Sequence, residues 1–472
     1  MTAANVAFGM WSHDIGAFGS TPELHVRWVQ WGAFSPIFRY HDRGQSAGIC
    51  SVLHTSCDIV EPWKLPFKYF KAVRKALTMR AELIPYIYSS YYQMHLSGIA
   101  FVRPLYYDYQ QEEMAYTVSQ DPTGKFSQYS FGDDIMVAPV VHKAKSGYLV
   151  RKLIWIPPGK WYDTVQGAWI EGPKTVELKY GLNDIPIFVK EGSILPTLTL
   201  ENFIGNSAQA YEHLNFLVYS DGSNDSQSSM KMYLDDGYSL DYARHPNKYK
   251  PKYVSAEFII ADGKQSLIAE LGHAHGLKSI TFKFVHSSSP EGVTVILDGS
   301  KFDLPFHMVP PTRTESAFWT FSPSDFAIVV TVPTLSFVPD KLEVVLKNSN
   351  YALPNKPITG SLRRLKEAKS LLDQVRQTPG SNVPANAKLI KAASGTSACL
   401  LQASDPLSPS GSTFECLLEF EKNLAGAVNE VNQLCPVTVG SFRLSLTKDL
   451  VISAQYQKEL LHPSSPIPSQ VE

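Results

Sequence analysis

Two short segments near the start of the chain, residues 11–18 and 39–41, contain the side chains best suited to catalysis or ligand binding. Carboxylate, imidazole, guanidinium and aromatic groups follow one another there, in the residues Trp11, His13, Asp14, Phe18, Arg39 and His41. Carboxylate, arginine and histidine side chains form hydrogen bonds with hydroxyl groups, and an aromatic ring covers the apolar face of a pyranose. This mixture is typical of a sugar-binding site.

Each of these residues also has a plainer explanation when it is taken alone. An aspartate after a strand is more often a helix cap or a turn residue, and a tryptophan near a strand more often belongs to the core. A metal site built from His13, Asp14 and His41 is disfavoured, because neighbouring histidine and aspartate residues are common. Only their grouping at two consecutive strand ends favours the functional interpretation.

Strand and helix alternate through the part of the chain that must position these residues. An apolar run over residues 5–10 predicts a strand that ends at Trp11, and residues 37–41 predict the next strand. Between them, Thr21 and Pro22 are typical of a helix start, with threonine as the N-cap and proline at the first helical position. The polar side chains would then follow two parallel strands, whose carboxyl ends line the active site in a parallel α/β barrel.

The next segments change from helical to β-rich. A strongly helical pattern covers residues 66–96, with a break near Pro85. From about residue 101 to residue 346, short β-rich runs alternate with turn residues, which predicts β-sandwiches. The stretch 220–229 is rich in glycine, serine, asparagine and aspartate, and it predicts a long hairpin loop.

Helices return in the last part of the chain. Leucine and valine recur at helical spacing over residues 361–377, and a second amphipathic pattern covers residues 414–434. Polar segments separate the two patterns, so the sequence predicts a small helical tail. Residues 462–472 are rich in proline and serine and are expected to be disordered.

The composition argues against several classes of protein. The 472 residues include 43 basic and 44 acidic side chains, so we expect no nucleic-acid partner that binds through a basic surface. The 44% of hydrophobic residues indicates a globular rather than an intrinsically disordered chain. No stretch of about 18 apolar residues occurs, so no membrane span is expected. No signal peptide is visible.

Cysteine spacing and common motifs add no further site. The five cysteines form no Cys-x-x-Cys pair, and we expect free buried thiols; a bridge between Cys50 and Cys57 would need an oxidising compartment. The acidic pairs at 133–134 and 235–236 are interpreted as turns between strands. No dinucleotide-binding, P-loop or GxSxG motif occurs in the context that it requires, and no cofactor is expected.

The first two hundred residues carry a series of longer motifs in a fixed order. They are WSHDIGAF (11–18), RWVQWGAFSPIFRYH (27–41), RKALTMRAELIPYIY (74–88), RPLYYDY (103–109), FGDDIMVAPVV (131–141), GKWYD (159–163) and IPIFVKEGSILP (185–196). This series resembles glycoside hydrolase family 31, which includes α-glucosidases, α-xylosidases and related transglycosylases. The resemblance covers residues 5–198 densely. Residues 202–346 resemble the distal β-sandwich of many members, with YLDDGYS (233–239) as the best signature.

The resemblance implies an enzyme that hydrolyses terminal α-glycosidic bonds with retention, through a nucleophilic aspartate and an acid/base aspartate. At the matching positions, Asp14 is similar to the family's substrate-binding aspartate after the seventh barrel strand, and His41 to the substrate-binding histidine after the eighth. Arg39 is similar to the neighbouring arginine, and Phe18 to an aromatic residue of the sugar pocket. With Trp11 from the same cluster, these residues are expected to bind an α-linked oligosaccharide or glycoside.

The sequence also departs from the family pattern. The family's nucleophile lies in a WxDMNE motif and its acid/base in an HWTGD motif, and neither string occurs in this sequence. Two βα units cannot close a barrel of about 250 residues. We therefore expect no catalytic residue and no metal site in this chain. We interpret it as the C-terminal part of a longer parent chain, with dependence on a partner that supplies the rest as the alternative.

The predicted fold class is α/β plus all-β: the C-terminal part of a (β/α)8 TIM barrel, two β-sandwich domains and a small helical tail. The predicted boundaries are 1–97 for the last two βα units of the barrel, 98–200 for the proximal sandwich, 201–350 for the distal sandwich, 351–461 for the helical extension and 462–472 for the tail. Two functions stay open. One is a family 31 glycosidase without its catalytic pair, and the other is a catalytically inert carbohydrate-binding or structural β-sandwich protein.

Overall fold

The computed structural model divides the chain into two compact units, each described by itself. The first unit consists of Met1–Gly159, Glu171–Lys190 and Pro196–Ser207, and the second of Lys160–Ile170, Glu191–Leu195 and Ala208–Glu472. The structure describes residues 2–16, 21–41, 61–119, 121, 123–143, 149–200, 211–222, 226–245, 247–261, 264–274, 276–287, 289–311, 316–323, 325–334, 338–347, 358–377, 388–403, 413–434 and 441–461.

The first unit begins with a parallel pair of short strands, β1 (Ser12–Ile15) and β2 (Ile37–Tyr40), connected through helix α1 (Pro22–Gly32). The Thr21 hydroxyl caps this helix by accepting a hydrogen bond from the Leu24 amide at 3.4 Å. Proline occupies the first turn, where its missing N–H costs no hydrogen bond. The predicted helix start and the parallel strand order are both confirmed.

The first strand lies later in the chain than the sequence predicts. A 3-10 helix covers Thr2–Val6, and Val6 exposes 78% of its surface, whereas Ile15 is fully buried. The prediction of a strand over residues 5–10 was wrong, because the apolar side chains of that run cover no core in this unit. As a result, Asp14 lies inside β1 and not after its end.

Two consecutive helices follow, α2 (Phe67–Glu82) and α3 (Ile84–Ser97), and their junction confirms the predicted break. Pro85 lies in the first turn of α3, which is where a helix tolerates proline. Gly98 ends α3 in the left-handed conformation, with φ of 72°. Glycine adopts this conformation without the steric cost of a β-carbon.

The next segment forms one six-stranded sheet in the order β3-β4-β5-β8-β6-β7. The short helix α4 (Glu113–Ser119) follows β3 along the chain. The strands are β3 (Val102–Arg103), β4 (Tyr129–Phe131), β5 (Ile135–Val137), β6 (Val150–Asp163), β7 (Ala168–Tyr180) and β8 (Ile187–Lys190). Strand β6 is hydrogen-bonded to β8 on one side and to the long strand β7 on the other. The described strands therefore form a single sheet here. The β-rich content predicted for residues 98–200 is confirmed, and the proximal β-sandwich stays a prediction.

Buried hydrogen bonds and ring contacts tie the βα region to this sheet. The Tyr129 hydroxyl donates to the Phe34 carbonyl at 2.9 Å, and the Arg27 guanidinium donates to the Gly181 carbonyl at 3.0 Å. The rings of Phe34 and Phe131 pack edge to face, with 5.2 Å between their centroids. Loss of either polar partner would leave a buried group unsatisfied, so the sheet stabilises the βα region.

Two further sheets have the orders β17-β18-β14-β10-β9 and β11-β12-β13-β19-β15-β16, and they belong to the second unit apart from residues 196–198 of β9. Their strands are β9 (Ile194–Leu198), β10 (His213–Tyr219), β11 (Ser226–Leu234), β12 (Lys252–Ala261), β13 (Lys264–Glu270), β14 (Ser279–Val285), β15 (Gly292–Leu297), β16 (Ser300–Asp303), β17 (Phe318–Ser322), β18 (Ala327–Pro333) and β19 (Lys341–Lys347). The rings of Phe258 on β12 and Phe284 on β14 lie 6.0 Å apart. The two sheets therefore pack face to face around a shared core.

Strand β11 begins inside the stretch 220–229 that the sequence predicted as a loop. It pairs antiparallel with β12 from Ser226 opposite Ile260 onward. Its polar residues form a strand because β11 is an edge strand with one face in solvent, and their burial alternates along it. Residues 223–225 lie outside the described residues. The short helix α5 (Asp241–Arg244) lies in the connection from β11 to β12.

The C-terminal region folds as a bundle of helices. Its described helices are α6 (Ile358–Arg376), α7 (Lys388–Ala403), α8 (Thr413–Leu434) and α9 (Ser441–Leu461). Helix α6 packs against α7 and α9, and α8 packs against the same two helices. The sequence predicted α6 and α8. The predicted disordered tail, residues 462–472, lies outside the described residues. In the described part of the chain, no helix is both long and apolar enough to cross a membrane.

A disulfide between Cys399 and Cys416 joins α7 to α8, with their α-carbons 5.7 Å apart. The prediction of free thiols was therefore wrong for these two residues. Their pairing depends on how the two helices pack, which cysteine spacing alone does not specify. The remaining cysteines, Cys50, Cys57 and Cys435, lie outside the described residues.

His286 follows β14 in the core of the second unit. It is buried, and neither ring nitrogen has a hydrogen-bond partner among the described residues. Its ring lies 5.8 Å from that of Tyr162 and 6.1 Å from that of Phe326. Burial lowers the pKa of His286 to about 4, although the charge of Asp221 acts in the opposite direction. The folded protein therefore holds this imidazole neutral at pH 7.

We expect the free energy of unfolding of the second unit to fall between pH 7.5 and pH 5, with His286 contributing about 2 kcal/mol of that loss. The pKa is lower in the folded chain than in the unfolded chain, so proton uptake favours unfolding as the pH drops. Urea titrations at both pH values should show a smaller loss for His286→Asn. Asparagine tolerates the φ of 57° at this position. An equal loss in both proteins would contradict this assignment.

Candidate functional site

The register of the parallel strand pair brings the predicted polar residues together. Asp14 on β1 lies directly opposite Arg39 on β2. The His41 amide, just beyond β2, donates to the Ile15 carbonyl at 2.7 Å. The backbone hydrogen bonding therefore continues past the last paired residues and holds all three polar positions at one end of the strand pair.

Asp14 and Arg39 form a two-point ion pair. The Arg39 Nε donates to Asp14 Oδ1 at 2.7 Å, and its Nη2 donates to Asp14 Oδ2 at 2.8 Å. The Ser12 hydroxyl also donates to Asp14 Oδ1. The two side chains are 36% and 55% exposed, so a ligand can reach them from solvent.

The hydrogen bonds from Arg39, and then the one from Ser12, hold the pKa of Asp14 well below its usual range. The same hydrogen bond raises the pKa of Arg39. Asp14 is therefore ionised throughout the physiological range. It can accept hydrogen bonds from hydroxyl groups, but it cannot serve as a general acid in this environment.

His41 completes the polar cluster. Its Nε2 lies 3.6 Å from Asp14 Oδ2, and the side chain is 34% exposed. Its Nδ1 is buried and has no hydrogen-bond partner in the part of the chain that the structure describes. The site thus combines a carboxylate, a guanidinium and an imidazole, which together can accept and donate hydrogen bonds to one polyhydroxylated ligand.

His13 has a different role from its neighbour Asp14. It is buried, and its Nε2 accepts a hydrogen bond from the Trp28 indole N–H at 2.7 Å. Because an indole nitrogen can only donate, the proton of His13 must be on Nδ1, which donates to the Ser35 hydroxyl at 2.7 Å. Burial lowers the pKa of His13 to about 4. With both nitrogens engaged, His13 anchors β1 on α1 and leaves no lone pair for a metal.

The two predicted aromatic residues differ in what the structure shows. Trp11 is half-buried, its ring lies 6.0 Å from that of His13, and its buried indole N–H has no partner among the described residues. Phe18 lies outside the described residues. No group of three or more histidine, cysteine, aspartate or glutamate side chains in the described ranges is arranged to hold a metal ion.

Sequence reasoning missed Ser12 as a part of this cluster. A signal for it was present, because residues two apart on a strand share one face, and Ser12 is two residues before Asp14. The strand was predicted to end at Trp11, so this periodicity was not applied to residues 12–15.

Known protein families match the region that holds this site. Residues 1–90 match the glycosyl hydrolases family 31 TIM-barrel domain, and residues 98–195 match the glycosyl hydrolase family 31 C-terminal domain. These two segments are similar to domains of glycoside hydrolase family 31. The resemblance predicted from the motifs is therefore confirmed, and so is the α-glucosidase and α-xylosidase character of its relatives.

The chain spans less than a third of the length of the curated relatives it matches. An α-xylosidase from Saccharolobus solfataricus is 29% identical over 242 residues, which are 50% of this chain and 29% of that protein. Neutral α-glucosidase AB from Homo sapiens is 30% identical over 234 residues, which are 48% of this chain and 22% of that protein.

A solved structure shares the fold of a larger part of the chain. The family 31 dextranase of Flavobacterium johnsoniae, complexed with glucose, has a TM-score of 0.59 and 23% identity. The similarity covers 74% of this chain and 40% of the dextranase chain. It shows that the similar fold extends beyond the two segments that match the family models.

Because of its pairing with Arg39, the Asp14 carboxyl should stay ionised at a pH where an ordinary aspartate is protonated. In Arg39→Gln, the pKa of Asp14 should rise toward the ordinary aspartate value, because the largest of the interactions that lower it is lost. Carbon-13 NMR titration of the Asp14 carboxyl checks this. Arg151→Gln is the control, because Arg151 pairs with Glu177 elsewhere in the first unit. An Asp14 carboxyl that titrates alike in wild type and Arg39→Gln would contradict the role given to the pair.

Proposed function

We propose that this chain is the C-terminal part of a retaining family 31 glycosidase that hydrolyses terminal α-glycosidic bonds, in the manner of an α-glucosidase. The observation that carries the proposal is the two-point Asp14–Arg39 pair with His41 beside it. This cluster lies in the segment that matches the family's barrel domain. The carboxylate accepts hydrogen bonds, the guanidinium donates them, and the imidazole can do either. This set suits a sugar ring, whose neighbouring hydroxyls both donate and accept hydrogen bonds.

Each residue of the cluster has a separate role in this proposal. Asp14 accepts a hydrogen bond from a substrate hydroxyl, and Arg39 keeps that carboxylate ionised and fixes its orientation. His41 presents Nε2 to a second hydroxyl of the same ring. Trp11 and Phe18 remain the predicted aromatic contacts to the apolar face of the sugar.

The nucleophile and the acid/base come, in this proposal, from a preceding barrel part in a longer parent chain. The small share of each relative that the chain spans supports this. The exposure of an apolar side chain on the strand pair supports it as well, since Ile37 on β2 is 39% exposed. Strands of a closed parallel barrel are covered on both faces.

The domain boundaries given by the sequence form part of the proposal: 1–97 for the barrel part, 98–200 and 201–350 for the β-rich domains, and 351–461 for the helical extension. The break between the two family matches, after residue 90 and before residue 98, supports the first boundary. The helix that starts at Ile358 supports the last of them.

We expect the 472-residue chain alone to show no turnover of an aryl α-glucoside. Retaining hydrolysis needs a nucleophile and a proton donor about 5–5.5 Å apart, and Asp14 cannot supply the proton. A colorimetric assay of the purified chain checks this. Turnover that disappears in Asp14→Asn would contradict the division of roles proposed here.

In the full-length parent, Asp14→Asn should lower kcat/KM by about 10- to 150-fold. This factor corresponds to the loss of one charged hydrogen bond, about 1.5–3 kcal/mol, in the transition state. The melting temperature should stay close to that of the parent, because Asp14 faces solvent. Asp303→Asn is the matched control, since Asp303 pairs with Lys347 in the second unit. A parent that binds α-glucosides without any turnover would instead favour an inert carbohydrate-binding protein.

A further inference from the structure

We propose that the loop between β11 and β12, residues 235–251, is a second carbohydrate-binding surface, centred on Tyr238, that takes a neutral α-glucan chain. The proposal rests on the proposed function only for the choice of an α-glucan as ligand. This loop belongs to the second unit, whereas Asp14, Arg39 and His41 belong to the first. It is therefore a site separate from the one described above.

The length of this loop sets it apart from an ordinary hairpin connection. Leu234 pairs with Lys252 at the end of the β11–β12 ladder, so the connection between the two strands is residues 235–251, of which 235–245 and 247–251 are described. Hairpin loops usually contain about 2–5 residues, and connections longer than about 12–15 residues are uncommon in compact domains. Apart from the one-turn helix α5 (Asp241–Arg244), the described residues of this connection form no helix or strand.

Hydrogen bonds hold the loop in a defined shape. The Asp236 carboxylate accepts from the amide of Tyr238 at 3.1 Å and from that of Ser239 at 2.8 Å. At the base of the loop, the hydroxyl groups of Tyr233 and Tyr249 lie 2.6 Å apart. A side chain on such a scaffold binds with less loss of conformational freedom than one on an unstructured loop.

Tyr238 is the feature of the loop that fits a sugar. It is 75% exposed, more than any other aromatic side chain among the described residues of the second unit, and Leu240 beside it is 47% exposed. A tyrosine ring in this position covers no core, so its stacking surface is open to a ligand. The C–H face of a pyranose stacks on such a ring, while its hydroxyls reach polar groups around the edge.

The charges around Tyr238 favour a neutral ligand over an ionic one. The loop carries acidic and basic side chains in equal number: Asp235, Asp236, Asp241, Arg244, Lys248 and Lys250. A phosphate-bearing or nucleic-acid ligand needs an excess of positive charge, which this loop lacks. A chain of neutral hydroxyl groups can use both the carboxylates and the cations.

Affinity electrophoresis of the 472-residue chain tests the proposal. Native gels with dextran or soluble starch should retard the wild-type chain, and gels with a galactan should not. In Tyr238→Ala the dissociation constant for the retarding glucan should rise by about fivefold or more, and Tyr238→Trp should bind at least as well as wild type. Tyr116→Ala, which removes a 42% exposed ring of the first unit, is the matched control and should bind as wild type does.

The outcomes separate this inference from the proposed function. Equal retardation of wild type and Tyr238→Ala, or no retardation of wild type by either glucan, would overturn the loop as a binding surface. Retardation that is lost in Asp14→Asn but kept in Tyr238→Ala would assign binding to the Asp14 site alone and overturn the inference. Loss in Tyr238→Ala with full binding in Asp14→Asn is the expected result, and circular dichroism of each variant confirms that its fold is retained.

Discussion

The parallel register between β1 and β2 determines where every polar group of the candidate site lies. With Asp14 opposite Arg39, the two side chains meet on one face and form their two-point pair. A shift of one residue would turn Asp14 to the opposite face, because side chains alternate along a strand. His13 opposes such a shift from the other face of β1, where its two nitrogens are bonded to Trp28 and Ser35.

This strand pair depends on its neighbours for support. The six-stranded sheet contacts it through α1 and the residues that follow α1, by way of Tyr129, Phe131 and the Arg27 guanidinium. On β2 itself, the apolar side chain of Ile37 is 39% exposed. An exposed apolar side chain on a parallel strand pair fits the proposal that further strands of a longer chain cover it.

Local signals in the sequence predicted the elements that local chemistry determines. Thr21 and Pro22 predicted the start of α1, and Pro85 predicted the junction of α2 and α3. The spacing of leucines over residues 361–377 predicted α6. The grouping of Asp14, Arg39 and His41 followed from parallel order alone. Features that depend on tertiary packing were not predictable. The apolar run over residues 5–10 has the composition of a strand, and only its exposure in the folded chain shows that it does not form one. Likewise, the Cys399–Cys416 bridge needs two helices to pack side by side.

The most direct test of the account is a crystal structure of the full-length parent with an α-glucoside bound. The account predicts one sugar ring with hydroxyl groups within hydrogen-bond distance, about 2.6–3.2 Å, of both Asp14 and His41, while Arg39 remains paired with Asp14. A sugar that binds at the active site without contacting either residue, or a β1–β2 register that separates Asp14 from Arg39, would contradict it.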